Sequence, residues 1–314
     1  MKYVPKIVFI SMLVIILSVP RLLFAADTIK ILAPKSTSSL PLLQLAADDP
    51  LPGIDIQTDT FINHPQALAL LLKGDVDFLF TGSSQGWNNY LDDGPMLMIN
   101  TGVWGVSYLI GKDESITTLA ELKGKKLALP FPGAPLDFQT RYMLEKAGID
   151  PDKDVDISYS PFPQTVPKLL AGQIDAAPLP EPLATNLVKG KGLLRLVDFQ
   201  TAWAAVAGDP KSPQVSLFST KDYAAANAGL IVSLVEAWNA ATAKVQENAD
   251  TVAAQFAEEL GVPAPMIGPA IQHTLFWLPP FEENRQRVLE YYKLVNSSLP
   301  QPKADLTEAF FFQP

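Results

Sequence analysis

The 314-residue chain contains no cysteine. That excludes disulfides, thiolate metal sites, cysteine nucleophiles and a lipid anchor on an N-terminal cysteine. Histidine is nearly as scarce, with only His64 and His273, far apart in sequence. No HExxH, GxSxG or close histidine–carboxylate spacing is present, and there is no GxxxxGK[ST] loop to hold a nucleotide. The inventory therefore points away from catalysis, and neither a metal nor a cofactor is expected. Asp75 and Asp77 come nearest to a carboxylate pair. They alternate with Val76 at a predicted strand start and read as turn and capping residues. Basic residues are also outnumbered, 24 against 33 acidic ones. Such a surface repels nucleic acid and anionic lipid. Long biased tracts are missing too, and 48% apolar with 18% charged residues fits a globular protein with a sizeable core.

What is present begins at the N-terminus. Lys2 and Lys6 precede an uncharged run, Ile7–Val19, of 13 residues. A spanning helix needs roughly 20. Leu23-Phe24-Ala25-Ala26 then offers small residues for cleavage. This layout predicts a secretory signal peptide over residues 1–26, cut after Ala25 or Ala26, with an uncleaved anchor as the alternative. Losing Lys2, Lys6 and Arg21 with no acid takes the net charge from −9 to −12. No other apolar stretch is long enough to cross a bilayer, so the mature chain is expected to be soluble.

Thr28–Ala33 alternates as a strand, Leu40–Ala47 reads as a short helix with Pro41 in its first turn, and Ile54–Thr58 alternates again. Gln66–Lys73 predicts a helix stopping at Gly74, followed by a strand over Val76–Phe80. This alternation predicts an α/β domain with a largely parallel sheet. The pattern then recurs. Pro65-Gln66 with Leu71–Asp77 matches Pro163-Gln164 with Leu169–Asp175, and Ile31–Pro34 with Leu40 matches Leu127–Pro130 with Leu136. Two matches in order at nearly one offset indicate a duplicated lobe. Met96–Gly111 is a strand-like link between copies, and Leu193–Val197 reads as a strand leaving the second. Beyond about residue 216 the chain reads as helical, with helices over Leu230–Asn248, Ala249–Leu260 and Glu282–Val295. They are expected to pack back on copy one, and Pro300–Pro314 reads as a loosely ordered tail.

This order resembles the type II periplasmic solute-binding proteins, in particular the nitrate/sulfonate/taurine and thiamine-pyrimidine-precursor group. The resemblance is carried by Leu119–Ala128, Gly133 and Met143–Ile149, then by Leu170–Ala176 with Glu181-Pro182, and by the alanine-rich helices after residue 225. It implies two Rossmann-like α/β lobes joined by a hinge of crossing strands, closing over a ligand. Lobe 1 is expected over 27–105 and 200–314, and lobe 2 over 106–199. It also implies a membrane permease and a cytoplasmic ATPase of an ABC importer as partners, with no enzymatic activity. Without a lipid-bearing cysteine, a Gram-negative periplasm is the expected compartment, and a monomer the expected state.

Ligands of open α/β sheets bind at the carboxyl ends of strands, beside helix N-termini. Four strand-to-helix loops qualify: Pro34–Ser39, Thr81–Ser84, Pro130–Pro135 and Pro178–Glu181. Free backbone N–H groups at such ends favour anions and polar acceptors. Ser36, Thr37, Ser38, Ser39, Thr81, Ser83 and Ser84 add hydroxyls, although ordinary helix capping uses the same residues. Gly82 and Gly133, with Ala134, let backbone approach a ligand. Lys35 is the one cation in these loops and could neutralise a sulfonate or carboxylate. Arg141, further along its helix, reads as surface. Phe61, Trp87, Trp104, Phe131 and Phe162 could cover a ring or an aliphatic body, with core packing expected for at least three of the five. Glu181 could accept a ligand N–H, brace the crossing strands or cap a helix. His64 could reach the cleft rim, and His273 reads as structural. The expected ligand is a small organic anion such as a sulfonate, taurine or nitrate. The alternatives are a pyrimidine-like thiamine precursor or another flat heterocycle, and ligand sensing for a receptor kinase. A pyrimidine synthase on the same fold is a further class, set aside because its cysteine-rich motif is missing.

Overall fold

The computed structural model describes residues 27–297 and 303–314; the predicted signal segment lies outside the described residues. The described residues open with β1 (Asp27–Pro34), α1 (Leu40–Asp48), β2 (Ile54–Phe61), α2 (His64–Lys73), β3 (Phe78–Gly82) and α3 (Ser83–Leu91). β4 (Met96–Gly105) runs almost directly into β5 (Ser107–Gly111). Next come β6 (Lys126–Leu129), α4 (Pro135–Lys146), β7 (Asp156–Tyr159), α5 (Phe162–Leu170), β8 (Ala176–Pro180), α6 (Leu183–Lys191) and β9 (Leu194–Asp198). Then follow α7 (Phe199–Ala207), β10 (Val215–Thr220), α8 (Lys221–Ala226), α9 (Ala228–Glu247) and α10 (Ala249–Leu260). α11 (Ala264–Gln272), β11 (Leu275–Phe276) and α12 (Phe281–Asn296) complete the order.

Local chemistry explains the boundaries. α2 starts where the Asn63 side chain accepts the Gln66 N–H at 3.0 Å and stops at Gly74, whose φ of 76° suits glycine. All ten residues of β4 are buried, as expected of a strand covered on both faces.

Two sheets result. The first has the order β2-β1-β3-β10-β4-β11, the second β7-β6-β8-β5-β9. In each, three parallel strands come first and an antiparallel strand follows: β10 beside β3, and β5 beside β8. The duplication extends to single hydrogen bonds. Asp77 accepts the Lys30 N–H at 2.8 Å, and Asp175 accepts the Lys126 N–H at 2.7 Å. Each aspartate thus ties the strand it precedes to the first strand of its copy, in line with a capping role.

The C-terminal region departs from expectation in three ways. Val215–Thr220 is a strand, β10, inserted between β3 and β4. α9 and α10 pack on α1, but α11 also meets α6 and α12 meets α4, so the last helices touch both copies. The tail is not loose over its described part: Leu306, Phe310, Phe311 and Phe312 are buried. Phe312 N–H donates to the Met98 carbonyl at 2.8 Å, and Tyr292 Oη donates to the Ala304 carbonyl at 2.6 Å. α7 packs on α4, β5 and β9 and so extends the second copy beyond residue 199. Aromatic contacts join the copies, with Trp87 of α3 at 5.9 Å from Phe138 of α4 and Trp203 of α7 at 4.9 Å from Tyr291 of α12. Among the described residues, no helix is long and apolar enough to cross a membrane.

Candidate functional site

Between the two sheets lies a cleft of about 330 Å³. One wall is the carboxyl ends of β1, β2 and β3, contributing Pro34, Lys35, Ser36, Ser38, Phe61, Ile62, His64, Gly82 and Gln85. The facing wall is the ends of β6, β7 and β8, contributing Pro130, Phe131, Ala134, Pro135, Leu136, Phe162, Pro180, Glu181, Pro182 and Leu183. The floor is made by the two chain crossings, Val106-Ser107 and Gln214-Val215. All four strand-to-helix loops contribute. The walls come close at Gly82, where a Cβ would lie 3.3 Å from Pro135 Cγ. A different cavity, about 230 Å³ beside Phe281, Arg285 and Phe312, lies under the C-terminal tail away from these strand ends.

The walls are mostly apolar, and the reason is sequence-local. α4 starts on Pro135, and α2 and α5 carry Pro65 and Pro163 in their first turn. Proline suits that position but brings no N–H. α1 carries Pro41 in the same place, so it is side chains that make the β1 loop the polar end of the cleft. Lys35 is exposed there, with its ammonium beside Gly261 at the end of α10, and forms no ion pair among the described residues. Ser36 and Ser38 stand beside it.

The remaining hydroxyls fall elsewhere. Ser39 Oγ donates to the Ser36 carbonyl at 2.7 Å, a bond within its own turn. Ser83 Oγ is 2.8 Å from Ser216 Oγ, which is 2.8 Å from Thr101 Oγ1, forming a buried ladder in the first sheet. Thr37 and Ser84 are buried, outside the lining. Thr81 donates to Gln85 Oε1 at 2.7 Å and is 3.1 Å from His64 Nδ1, so it acts behind the wall. Gly133 also falls outside the lining. Its φ of 78° turns the loop that presents Phe131, and its N–H donates to Asp137 Oδ2 at 2.7 Å. Arg141 donates to Asp137 Oδ1 at 2.9 Å and is largely buried, which corrects its surface reading.

Three of the five aromatic candidates, Phe61, Phe131 and Phe162, line the cleft. Trp87 and Trp104 are core residues. Trp104 Nε1 donates to the Thr101 and Trp277 carbonyls at 3.2 and 3.0 Å, so its place is the first sheet's core. Phe61 and Phe162, besides lining the cleft, also pack against the buried core. Glu181 is fully buried, and both its oxygens are engaged, by the Thr185 N–H at 3.0 Å and by Arg195 at 2.5 Å. Arg195 in turn lies 4.8 Å over the Tyr108 ring. The carboxylate caps α6 and pins β9, with no oxygen left over. Tyr108 Oη donates to the His273 carbonyl at 2.8 Å, and burial foremost pushes the phenol well above its ordinary range.

Sequence reasoning missed Gln85, Ser107 and Gln214. The last two are polar residues at strand ends with no periodic signature, and become neighbours only because both chain crossings pass under the cleft.

The fold and the cleft together define a type II periplasmic binding-protein architecture, two α/β lobes with a ligand-sized gap at their strand ends. The sequence profile of the NMT1-like family matches residues 96–259, just over half of the chain, and the chain belongs to that family. Among solved structures, it is similar to the aliphatic sulphonate binding protein SsuA of Escherichia coli, with a TM-score of 0.70 at 20% identity over 88% of this chain and 90% of that one. It is also similar to the nitrate-binding protein NrtA of Synechocystis, with a TM-score of 0.68 at 17% identity over 88% and 83%. At such identities the likeness speaks to fold alone. The nitrate/nitrite binding protein NrtA of Nostoc is 36% identical over 80 residues, 26% of this chain and 18% of that protein. A putative binding protein of Brucella abortus is 32% identical over 131 residues, 42% of this chain and 40% of that protein. The chain therefore spans less than half the length of these curated relatives.

Proposed function

We propose that this chain is the substrate-binding component of an ABC importer, working in the periplasm and capturing a small organic anion in the inter-lobe cleft. A membrane permease and a separate ATPase complete the system. The observation that carries the reading is the asymmetry of the cleft. Among the described residues its only cationic side chain, Lys35, stands with Ser36 and Ser38 at one strand end, while the facing wall is mostly apolar, with Pro130, Phe131, Ala134, Pro135, Leu136 and Phe162. An anionic head and an apolar body match those two environments. The sulfonate- and nitrate-binding names of the relatives point the same way. Phe61, Phe131 and Phe162 also suit a flat heterocycle, which is the second reading.

Calorimetry with taurine, alkanesulfonates, nitrate and an aminopyrimidine decides between them. At least one organic sulfonate is expected to bind at micromolar levels, with nitrate weaker because it is too small to meet the apolar walls. Lys35→Ala should weaken sulfonate binding roughly tenfold or more, as loss of a charge-assisted partner does, without moving the melting temperature of an exposed site. Preference for the neutral aminopyrimidine with no effect of Lys35→Ala transfers the assignment to the heterocycle.

A further inference from the structure

The cleft floor carries two buried polar side chains, and the surrounding hydrogen bonds fix what they offer. Gln214, on the return crossing, is only 4% exposed. Its Nε2 donates to Gln139 Oε1 at 3.1 Å and to Ser212 Oγ at 3.0 Å, which uses both hydrogens. Gln139 Nε2 donates to the same Ser212 Oγ at 2.9 Å. Ser212 thus accepts twice, and its one proton goes to the Trp104 carbonyl at 3.4 Å. Reversing both amides would aim two carbonyl oxygens at that one proton and strip the Trp104 contact, so the network sets the amide orientation. What Gln214 has left is Oε1, an acceptor with no hydrogen bond among the described residues. Tyr291 lies near enough to feel the Gln214 amide, but its buried hydroxyl forms no hydrogen bond of good geometry. Ser107, on the outgoing crossing, is 2% exposed, and its Oγ has no partner. Both residues line the cleft. Buried polar atoms in folded proteins nearly always have a partner, so the orphan Ser107 Oγ, with the unbonded Gln214 Oε1 beside the same cleft, suits a group from outside.

We infer that the floor selects, among small organic anions, those that carry an N–H or O–H donor at the end remote from the acid group, with Gln214 Oε1 and Ser107 Oγ as the reading atoms. The inference rests on the anion-capture reading above. The two ends of the cleft differ in sign: Lys35 and the serines offer donors, whereas Gln214 offers only an acceptor. A methyl tip on the floor leaves both atoms buried and unpaired, and sites of this kind reject the analogue that lacks the donor. The Glu181 charge on the facing wall is already matched by Arg195, and the floor itself carries no charged side chain, so a hydroxyl serves as well as an amine.

Taurine, isethionate and propane-1-sulfonate form the test set, because they differ in one terminal heavy atom: nitrogen, oxygen or carbon. Titration calorimetry should find propane-1-sulfonate roughly ten- to a hundredfold weaker than the other two. Ser107→Ala should narrow that gap at least threefold by weakening taurine and isethionate and leaving propane-1-sulfonate unchanged. Gln214→Met should narrow it further; a melting curve shows whether that variant is folded, and Ser107→Ala carries the test if it is not. Equal affinities for all three, or a gap that Ser107→Ala leaves unmoved, overturn the inference and leave anion capture standing. Failure of all three to bind overturns both.

Discussion

His64 shows how much a single hydrogen-bond chain decides. Its Nδ1 is 3.1 Å from Thr81 Oγ1, and Thr81 spends its only proton on Gln85 Oε1 at 2.7 Å. Nδ1 is then the donor, so in the neutral ring the bare nitrogen is Nε2. Burial pushes the imidazole below its ordinary value of 6.5, and the Gln85 contact opposes this in part. His273 moves in the same direction, through burial first and Arg195 second. A base whose folded-state pKa is lowered takes up a proton more readily when unfolded. Its contribution to stability is therefore complete above 6.5 and is lost as pH falls through the lowered value. The melting temperature should fall between about pH 7.5 and about pH 5.5, and His64→Gln should reduce that fall. Scanning fluorimetry of both proteins at the two pH values checks this, and identical falls refute it for His64.

At the scale of elements, the duplicated aspartates give a paired prediction. Asp77 and Asp175 each accept a backbone N–H from the first strand of their copy, Lys30 or Lys126. A hydrogen bond to a charged group contributes about 1.5–3 kcal/mol, reduced by solvent at these exposed sites. Asp77→Ala and Asp175→Ala should each cost about 1 kcal/mol in urea unfolding, by similar amounts because the geometry is the same. A cost at one site alone would break the equivalence of the copies. The repeat was legible because it is written locally: a helix ending at Gly74 or Gly172, a turn, and an aspartate before a strand. β1, α1, β2, α2 and α9 were legible for the same reason, through period and caps. β10 was not, because a strand inserted between β3 and β4 shows its purpose only once both neighbours are in place. The cleft was half legible. Lys35, Ser36 and Phe131 follow from strand ends, whereas Ser107 and Gln214 share a floor despite lying over a hundred positions apart.

The whole molecule is held by more than its crossings. The aromatic seam from Trp87 and Phe138 to Trp203 and Tyr291 gives the two lobes a shared buried core beside the two connections. Any closing motion about the crossings has to work against, or slide along, that seam. The tail reinforces the first lobe from outside. Phe310 is fully buried, 5.1 Å from Tyr90 of α3 and 6.2 Å from Phe218 of β10, while Phe312 lies 5.3 Å from Phe281 of α12. Three consecutive phenylalanines after a polar stretch carry no helical or strand period, so their core role is invisible until β4 and α12 present surfaces for them. Removing a buried phenylalanine side chain costs about 3–5 kcal/mol, a large share of the roughly 5–15 kcal/mol that holds a domain folded. Phe310→Ala should therefore lower the unfolding free energy measured by urea titration by an amount in that range, yet leave ligand affinity of the folded protein unchanged, since Phe310 is not among the cleft-lining residues. A loss under about 0.5 kcal/mol, the scale of a surface substitution, would show that the tail only rests on the body and adds nothing to its core.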